Sequence, residues 1–187
     1  MKLKRSNHIW LGKINMFSIV FRLYMRFFWS YEKQARYNGV FIGENCDIQD
    51  VSFGSEPYLI TIGNNVQITN GTKIFTHGGA HVLRGKYPEI DFFGKVKIGN
   101  NVYIGNSTLI LPGVTIGSNV IIGAGSVVSK SVPDNVVVAG NPAKIICSLD
   151  DFENKMIKLD VKSKFMNSEE KKKYLLSLSE ERFFIKK

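Results

Sequence analysis

Three histidines are the first candidates for chemistry in this chain of 187 residues: His8, His77 and His81. Imidazole takes up and releases protons near neutral pH without further tuning, as a general base must. A base must also be held in a fixed position. His77 ends a regularly patterned segment, whereas His81 lies in an irregular one and His8 in a basic N-terminal segment. We therefore expect His77 to be the base and His81 to be an exposed loop residue; the alternative for His77 is a corner residue bonded only to the backbone.

The segment around these candidates is organised by a six-residue repeat. Six consecutive hexads open on Ile or Val, at Ile98, Ile104, Ile110, Ile116, Ile122 and Val128. A helix repeats near 3.6 residues and a half-buried strand near 2, so a period of six predicts short strands separated by sharp corners. Gly and Asn tolerate the left-handed backbone of such corners, where Asn100–Asn101 and Ser118–Asn119 stand. Each opening residue should point inward and stack on its equivalent three hexads earlier.

The same register continues upstream, at Ile42, Ile48, Ile62, Ile68 and Ile74. The repeat therefore predicts a prism over residues 40 to 138. Fourteen residues rather than twelve separate Ile48 from Ile62, which indicates a two-residue corner insertion at GSEP (54–57). The pattern lapses between Ile74 and Ile98, but their separation of twenty-four is a multiple of six. We expect a loop at 78–97 that leaves the stacking register intact.

The chain resembles the hexapeptide-repeat acyltransferase superfamily, and within it the galactoside, maltose and polysaccharide O-acetyltransferases. The matching residues are IGNNVYIGNSTLILPGVTIGSNVIIGAGSVVSKSVPDNVVVAGNPAKII (98–146), with THGG and Arg84 upstream. The resemblance implies an all-β repeat fold, a left-handed parallel β-helix prism, and it alone supplies the handedness. It also implies acetyl-CoA as co-substrate, no required metal, and a homotrimer with the cofactor groove between neighbouring prisms.

The resemblance also assigns the catalytic residues. In galactoside-type members the catalytic histidine precedes a loop arginine by seven residues, as His77 precedes Arg84 here. The resemblance implies that His77 takes the proton of the acceptor hydroxyl while the oxygen attacks the thioester, with no covalent enzyme intermediate. The resulting oxyanion needs a hydrogen-bond donor. Asn106 stands where the galactoside-type enzymes place a serine for this purpose, and its amide can donate.

Coenzyme A contacts are implied for the last coils. By motif, the backbones of Gly123 and Ala124 would meet the pantetheine arm, Ser129 and Lys130 would lie further along it, and Lys144 would reach the adenosine phosphates. A lysine meets phosphate as a point charge, whereas the arginine of the galactoside enzyme is bidentate. The alternative for both lysines is an ordinary solvated charge.

Acceptor recognition is harder to assign. Galactoside and maltose enzymes use an asparagine on an earlier coil, and the segment DIQDVSFGSEPYLI (47–60) has no clear equivalent. Glu56 and Tyr58 stand there instead, and the loop adds Arg84 and Asp91. Carboxylates and aromatic rings suit sugar hydroxyls and ring faces, so we assign these four residues to the acceptor. Alternatively, one of the acids orients His77.

The net charge of +9 is concentrated at the N-terminus. Residues 1–37 hold eight Lys or Arg against one acid, whereas residues 38–147 hold seven of each. A nucleic-acid binder would carry its basic surface on the folded domain, so no nucleic-acid partner is expected. The segment MFSIVFRLYMRFFW (16–29) is too short and too charged to span a bilayer, and it lacks a signal-peptide cleavage site. It is predicted to be a helix that either caps the prism or lies at an anionic membrane surface.

Three parts follow from these patterns: a basic aromatic arm (1–38), the β-helix domain (39–147) with its loop (78–97), and a helical tail (148–187). The tail segment SEEKKKYLLSL predicts a helix from about Ser168, without a full capping box. Cys46 and Cys147 lie far apart, which indicates reduced thiols and a cytoplasmic protein, or one peripheral to the inner membrane face.

The leading interpretation is an acetyl-CoA-dependent O-acetyltransferase that modifies a sugar hydroxyl in a surface polysaccharide such as a capsule or O-antigen. A second is acetylation of a small acceptor, such as serine, a galactoside, a nucleotide amino sugar or an antibiotic. A zinc carbonic anhydrase on the same fold needs three histidine ligands, and only His77 and His81 are near the site. The remaining interpretation is a non-catalytic scaffold.

Overall fold

The computed structural model describes residues 16–185, without the side chains of residues 17 and 18. His8 and the rest of residues 1–15 lie outside the described residues. The helices are α1 (Met16–Phe28), α2 (Tyr31–Tyr37), α3 (Leu149–Ile157) and α4 (Ser168–Leu176). The strands are β1 (Phe41–Ile42), β2 (Asp47–Ile48), β3 (Ile60–Ile62), β4 (Val66–Ile68), β5 (Lys73–Ile74), β6 (Val96–Ile98), β7 (Val102–Ile104), β8 (Leu109–Ile110), β9 (Thr115–Ile116), β10 (Val120–Ile122), β11 (Val127–Val128), β12 (Val136–Ala139) and β13 (Lys144–Ser148).

Three parallel sheets form the sides of the prism. Face 1 contains β1, β3, β6 and β9, face 2 contains β2, β4, β7, β10 and β12, and face 3 contains β5, β8 and β11. The chain visits the faces in this order in each coil, so every coil has three corners. β13 then turns back and pairs antiparallel to β12 at the C-terminal end.

The predicted stacking of the aliphatic residues is confirmed. Ile98 pairs with Ile116, and Ile104 with Ile122, each partner standing three hexads further along the chain. The openers of the hexads are at most 3% exposed from Ile98 to Val128. Burying a side chain of this size stabilises the fold by roughly 1.5–3 kcal/mol. The column of Ile and Val residues is therefore the core of the protein.

The corner between faces 1 and 2 is built from asparagines. Asn65, Asn101 and Asn119 have φ of 54°, 54° and 58°, in the left-handed region that Asn tolerates better than most residues. Their side chains form a ladder in which Asn65 donates to Asn101 at 2.7 Å and Asn101 to Asn119 at 3.0 Å. The predicted role of Asn101 and Asn119 as corner residues is confirmed.

The two interruptions of the repeat lie where the sequence predicts them. Ile62 pairs directly with Ile98, six hexads later, so the loop adds the length of a whole coil without displacing the strands. Ile42 pairs with Ile62, which makes this coil slightly longer than three hexads. The extra length falls at the corner between faces 3 and 1, where a 3₁₀ helix spans Pro57–Leu59.

The last hexad, 128–133, departs from the predicted period. Ile116 forms a β-bridge with Val132, which lies sixteen rather than eighteen residues further along the chain. Val132 therefore takes the stacking position two residues before the next full hexad would open. The corner between faces 3 and 1 is shorter here, and Ser131 Oγ accepts a hydrogen bond from the Thr115 N–H across it at 3.0 Å. The period of six therefore fails in the last coil.

Helices cover both ends of the prism. Ala35 of α2 is buried in the core, and Arg36 donates to the carbonyls of Ile42 and Gly43 on the first coil. α1 packs on α2 through the rings of Phe21, Trp29 and Tyr37, but most of its large side chains are exposed. Among the described residues no helix has the length and hydropathy needed to cross a bilayer.

The predicted helix of the C-terminal tail is confirmed as α4, but its capping was misread. The N-cap is Asn167 rather than Ser168, and its side chain accepts from the Glu169 and Glu170 N–H groups at 3.1 and 2.9 Å. The Glu170 carboxylate accepts from the Asn167 N–H in return, so the capping box is complete. The sequence prediction took Ser168 as the N-cap, which puts a lysine instead of Glu170 at the third helical position.

Candidate active site

Two side chains that contact the same carboxylate oxygen form the centre of the candidate site. The Nδ1 atom of His77 lies 2.7 Å from Glu56 Oε2, and the hydroxyl of Thr76 donates to the same oxygen at 2.7 Å. The Glu56 side chain is 16% exposed and that of His77 is 41% exposed. The carboxylate is therefore shielded, while the imidazole ring opens to solvent.

Regular structure holds both groups. Ile74 is the last residue of β5, and the buried Thr76 continues it, accepting a backbone hydrogen bond from Gly94 at 2.7 Å. His77 bridges to Phe93 across the neck of the loop, and the two rings lie 5.5 Å apart. Glu56 comes from the corner insertion of the first coil, directly before the 3₁₀ helix. A strand end and a loop neck thus fix the position of the imidazole.

The electrostatics of the pair define the tautomer of His77. Hydrogen bonds from Thr76, His77 and Ser55 lower the pKa of the Glu56 carboxyl below its ordinary value, although desolvation opposes them. An ionised carboxylate only accepts hydrogen bonds, so the His77 proton resides on Nδ1. Nε2 then carries the lone pair, and it has no partner among the described residues. A lone pair held in this way can accept a proton from a hydroxyl group.

The remaining residues assigned to the acceptor are less constrained. Tyr58 is 68% exposed on the 3₁₀ helix beside Glu56. Arg84 is exposed and caps the 3₁₀ helix Ala80–Leu83 of the loop. Asp91 is exposed, and its carboxylate accepts from the Phe92 N–H at 3.1 Å. Of the four, Glu56 contacts His77 directly, so its position suits orientation of the base.

A second set of assigned residues lies at another corner, between faces 2 and 3. Asn106 and Ala124 stack on successive coils there, since the Gly125 N–H donates to the Asn106 carbonyl at 2.8 Å. The Gly123 N–H is already donated to Val138, whereas Ala124 makes no backbone hydrogen bond to the described residues. Lys144 begins β13 next to this corner and is exposed. We call this corner, with Asn106, Gly123, Ala124 and Lys144, the Asn106 edge.

The His77 edge, between faces 3 and 1, holds His77, Glu56, Ser129 and Lys130. Ser129 and Lys130 directly follow β11 and are exposed. Face 3 separates the two edges, a width of roughly 15 Å for about five extended residues. A single chain therefore does not bring His77 and Asn106 together. The five residues assigned to coenzyme A are likewise divided between the two edges.

The sequence did not single out Thr76 or Phe93. Thr76 is 1% exposed, yet its hydroxyl holds Glu56. The signal available in the sequence was a polar residue immediately before the candidate base, at a position that the structure shows to be buried. Phe93 stands at the opposite end of the loop from His77, and no local pattern predicts that contact. Across residues 16–185, no three His, Cys, Asp or Glu side chains come together as a metal site would require.

The sequence of this chain is similar to those of known transferases. The family model for the bacterial transferase hexapeptide (six repeats) matches residues 95–130. The protein CapG of Staphylococcus aureus is 53% identical over 150 residues, which cover 78% of this chain and 87% of CapG. The galactoside O-acetyltransferase of Escherichia coli (strain K12) is 46% identical over 98 residues, covering 51% of this chain and 47% of that enzyme.

Solved structures agree with the sequence comparisons. The crystal structure of a maltose O-acetyltransferase from Clostridium difficile 630 superposes with a TM-score of 0.53 at 40% identity, covering 60% of this chain and 59% of that enzyme. The chain therefore spans about half the length of the galactoside enzyme and somewhat more of the maltose enzyme. The shared region contains the hexad coils, and the fold is the left-handed parallel β-helix expected for this type of repeat.

Proposed function

Because the chain belongs to the bacterial hexapeptide-repeat transferase family and is an acyltransferase, we propose that it transfers an acetyl group from acetyl-CoA to a hydroxyl of a carbohydrate, with His77 as general base. The observation that carries the proposal is the contact between His77 Nδ1 and Glu56 Oε2, which leaves Nε2 available to a substrate. The similarity to galactoside and maltose O-acetyltransferases supports a sugar as acceptor.

The proposed reaction is a direct transfer. Nε2 of His77 takes the proton of the acceptor hydroxyl as the oxygen forms a bond to the thioester carbonyl carbon. The carbon–sulfur bond of the tetrahedral intermediate then breaks, and the imidazolium returns the proton to the departing thiolate. Glu56 stays ionised, keeps the Nδ1 proton in place and stabilises the positive charge that develops on the ring. Glu56 is in this sense a positioning residue.

The oxyanion of the intermediate requires a hydrogen-bond donor. We infer that Asn106 of a second protomer supplies it, since face 3 separates the two residues within one chain. A symmetric trimer would set the His77 edge of each prism against the Asn106 edge of the next. Acetyl-CoA would then meet Ala124 and Lys144 on one prism, and Ser129 and Lys130 on its neighbour.

The acceptor is proposed to be a surface polysaccharide or its precursor. The exposed aromatic and basic side chains of α1 support an acceptor that the enzyme meets at a membrane surface. The two free cysteines are compatible with the reducing cytoplasm, so we propose the inner face of the membrane as the location of the enzyme.

Substitution of the two loop histidines tests the proposal. In a coenzyme A-release assay over a panel of sugars, His77→Ala should lower kcat by about 10²- to 10⁴-fold, the usual contribution of a general base. His81→Ala is the matched control, because His81 is exposed and makes no side-chain contact with the described residues. Unchanged turnover of His77→Ala would refute the assignment of the base.

A further inference from the structure

A cleft separates helices α1 and α2 from the first coil of the prism. Its volume is about 820 Å³, within the range of roughly 300–1,000 Å³ that is usual for ligand sites. The helices contribute Arg22, Arg26 and Tyr31, and the coil contributes Asp50 and Phe53. The cleft lies outside the catalytic centre described above, so that centre does not explain its size and lining residues.

Two unpaired cations line the cleft. Arg22 and Arg26 are four residues apart on α1, so they project from the same side of the helix. Neither forms an ion pair or side-chain hydrogen bond with the described residues, whereas Arg36 is engaged by Glu32 at 2.7 Å. Among the described residues Asp50 is the only acid on the cleft wall, which leaves an excess of positive charge. Two guanidinium groups at this spacing suit a phosphate or diphosphate, which each can bind in bidentate fashion.

Apolar and aromatic side chains form much of the rest of the cleft, together with the polar Gln34 and Asn38. Its wall includes the side chains of Phe21, Met25, Phe27, Tyr31 and Phe53. The outer surface of α1 continues the apolar character, because Leu23, Tyr24 and Phe28 are at least half exposed. A ligand that places phosphate on the arginines would therefore have hydrocarbon surface on both sides of it.

A second cavity adjoins the cleft and runs along the first coil towards the corner that carries Glu56. It shares Asn38, Val51 and Phe53 with the first cavity and extends to Ser55 and Tyr58. Glu56, which holds His77, lies between those last two residues. A ligand bound at the arginines thus has room to extend along the first coil as far as Tyr58, in the direction of the His77 edge.

We propose that this cleft binds the diphosphate and adjoining hydrocarbon of a lipid-linked sugar, and so presents the sugar to His77. The inference rests on the proposed function for its acceptor chemistry, but the binding site itself does not depend on acetyl transfer. The apolar and aromatic side chains of the wall suit the hydrocarbon of a lipid diphosphate. Uridine diphosphate, whose base and ribose would rely on Gln34 and Asn38, is the alternative that the titration tests. The concave shape of the cleft favours a single ligand over general adhesion to a membrane.

Calorimetric titration of the full chain with geranyl diphosphate tests this site. The probe carries two isoprene units, and inorganic diphosphate, geraniol and uridine diphosphate serve as comparison ligands. We expect geranyl diphosphate to bind at least about tenfold more tightly than each of them, and Arg22→Gln with Arg26→Gln to weaken it by about tenfold or more, because charge-assisted hydrogen bonds are lost. Lys171→Gln with Lys172→Gln on α4 removes the same charge elsewhere and should change nothing.

The outcomes separate this proposal from the proposed function. His77→Ala should bind geranyl diphosphate normally even though its acetyl transfer fails, so loss of transfer alone does not bear on the cleft. Equal binding of uridine diphosphate, or unchanged affinity in the double arginine variant, would overturn the lipid-diphosphate site. An effect of the arginine substitutions on flotation with phosphatidylglycerol vesicles, but not on the titration, would also overturn it and assign the arginines to the membrane surface.

Discussion

Glu56 shows how one carboxylate oxygen can serve two purposes. Oε2 receives the Thr76 hydroxyl from a buried position and contacts His77 Nδ1 from a partly exposed one, both at 2.7 Å. The hydrogen bond from Thr76 fixes the carboxylate at the end of β5. The contact with Nδ1 in turn fixes the orientation of the imidazole. A base fixed in this way loses little entropy when the acceptor arrives.

Substitution of Glu56 by Gln should separate positioning from binding. The amide no longer fixes the Nδ1 tautomer or stabilises the imidazolium, so kcat should fall by about 10- to 100-fold, as is usual for such supporting groups. The KM for acetyl-CoA should stay unchanged, because the Glu56 carboxylate is engaged by Thr76 and His77 and is not assigned to acetyl-CoA. Steady-state kinetics with varied acetyl-CoA measure both parameters. A loss confined to KM would contradict the positioning role.

The same substitution has a consequence for stability. Since the pKa of Glu56 is lowered in the folded protein, the ionised carboxyl stabilises the fold above its pKa in the unfolded chain, and this contribution disappears as pH falls through the lower folded-state value. The wild-type chain should therefore be more stable than Glu56→Gln at neutral pH and should lose this advantage in acid. Urea midpoints at both conditions check the sign.

At the scale of elements, the corners carry the regularity of the prism. Asn101 has a φ of 54° and takes part in two ladder hydrogen bonds, one to Asn65 and one to Asn119. Asn101→Ala should lower the free energy of unfolding by about 2–3 kcal/mol, from two lost hydrogen bonds and the left-handed backbone. Asn101→Gly keeps the backbone conformation, so its loss should be about 1–2 kcal/mol. Equal losses in urea unfolding would show that backbone conformation contributes nothing.

The sequence predicts well the features that depend on residue type and spacing within a short stretch of the chain. The inward column of Ile and Val, the left-handed Asn101 and Asn119, and the helices α1 and α4 all follow from spacing and residue type. The contact of Glu56 with His77 joins two separate coils through a corner insertion, so no period indicates it. From the residues alone, an acid that orients His77 is only one of two alternatives for Glu56. The shortened last hexad likewise depends on how one corner closes, which the residue pattern does not encode.

At the scale of the whole molecule, the proposed reaction needs both edges of the prism. His77 and Asn106 stand on opposite sides of face 3, and the residues assigned to acetyl-CoA are divided in the same way. A protomer alone thus presents two separate halves of the proposed active site, one on each edge. The proposed lipid-diphosphate cleft joins the His77 half, since its second cavity ends beside Glu56.

Mixed oligomers of two inactive variants test this division. His77→Ala and Asn106→Ala should each be inactive alone, the second losing about 10²- to 10³-fold as an oxyanion donor is removed. When the two variants are unfolded together and refolded in equal amounts, about a quarter of the interfaces of a cyclic trimer should join an intact His77 to an intact Asn106. We therefore expect about a quarter of the wild-type activity to return, with the trimer checked by light scattering. If both residues acted within one chain, no mixture would exceed its parents, because every protomer would carry one defect.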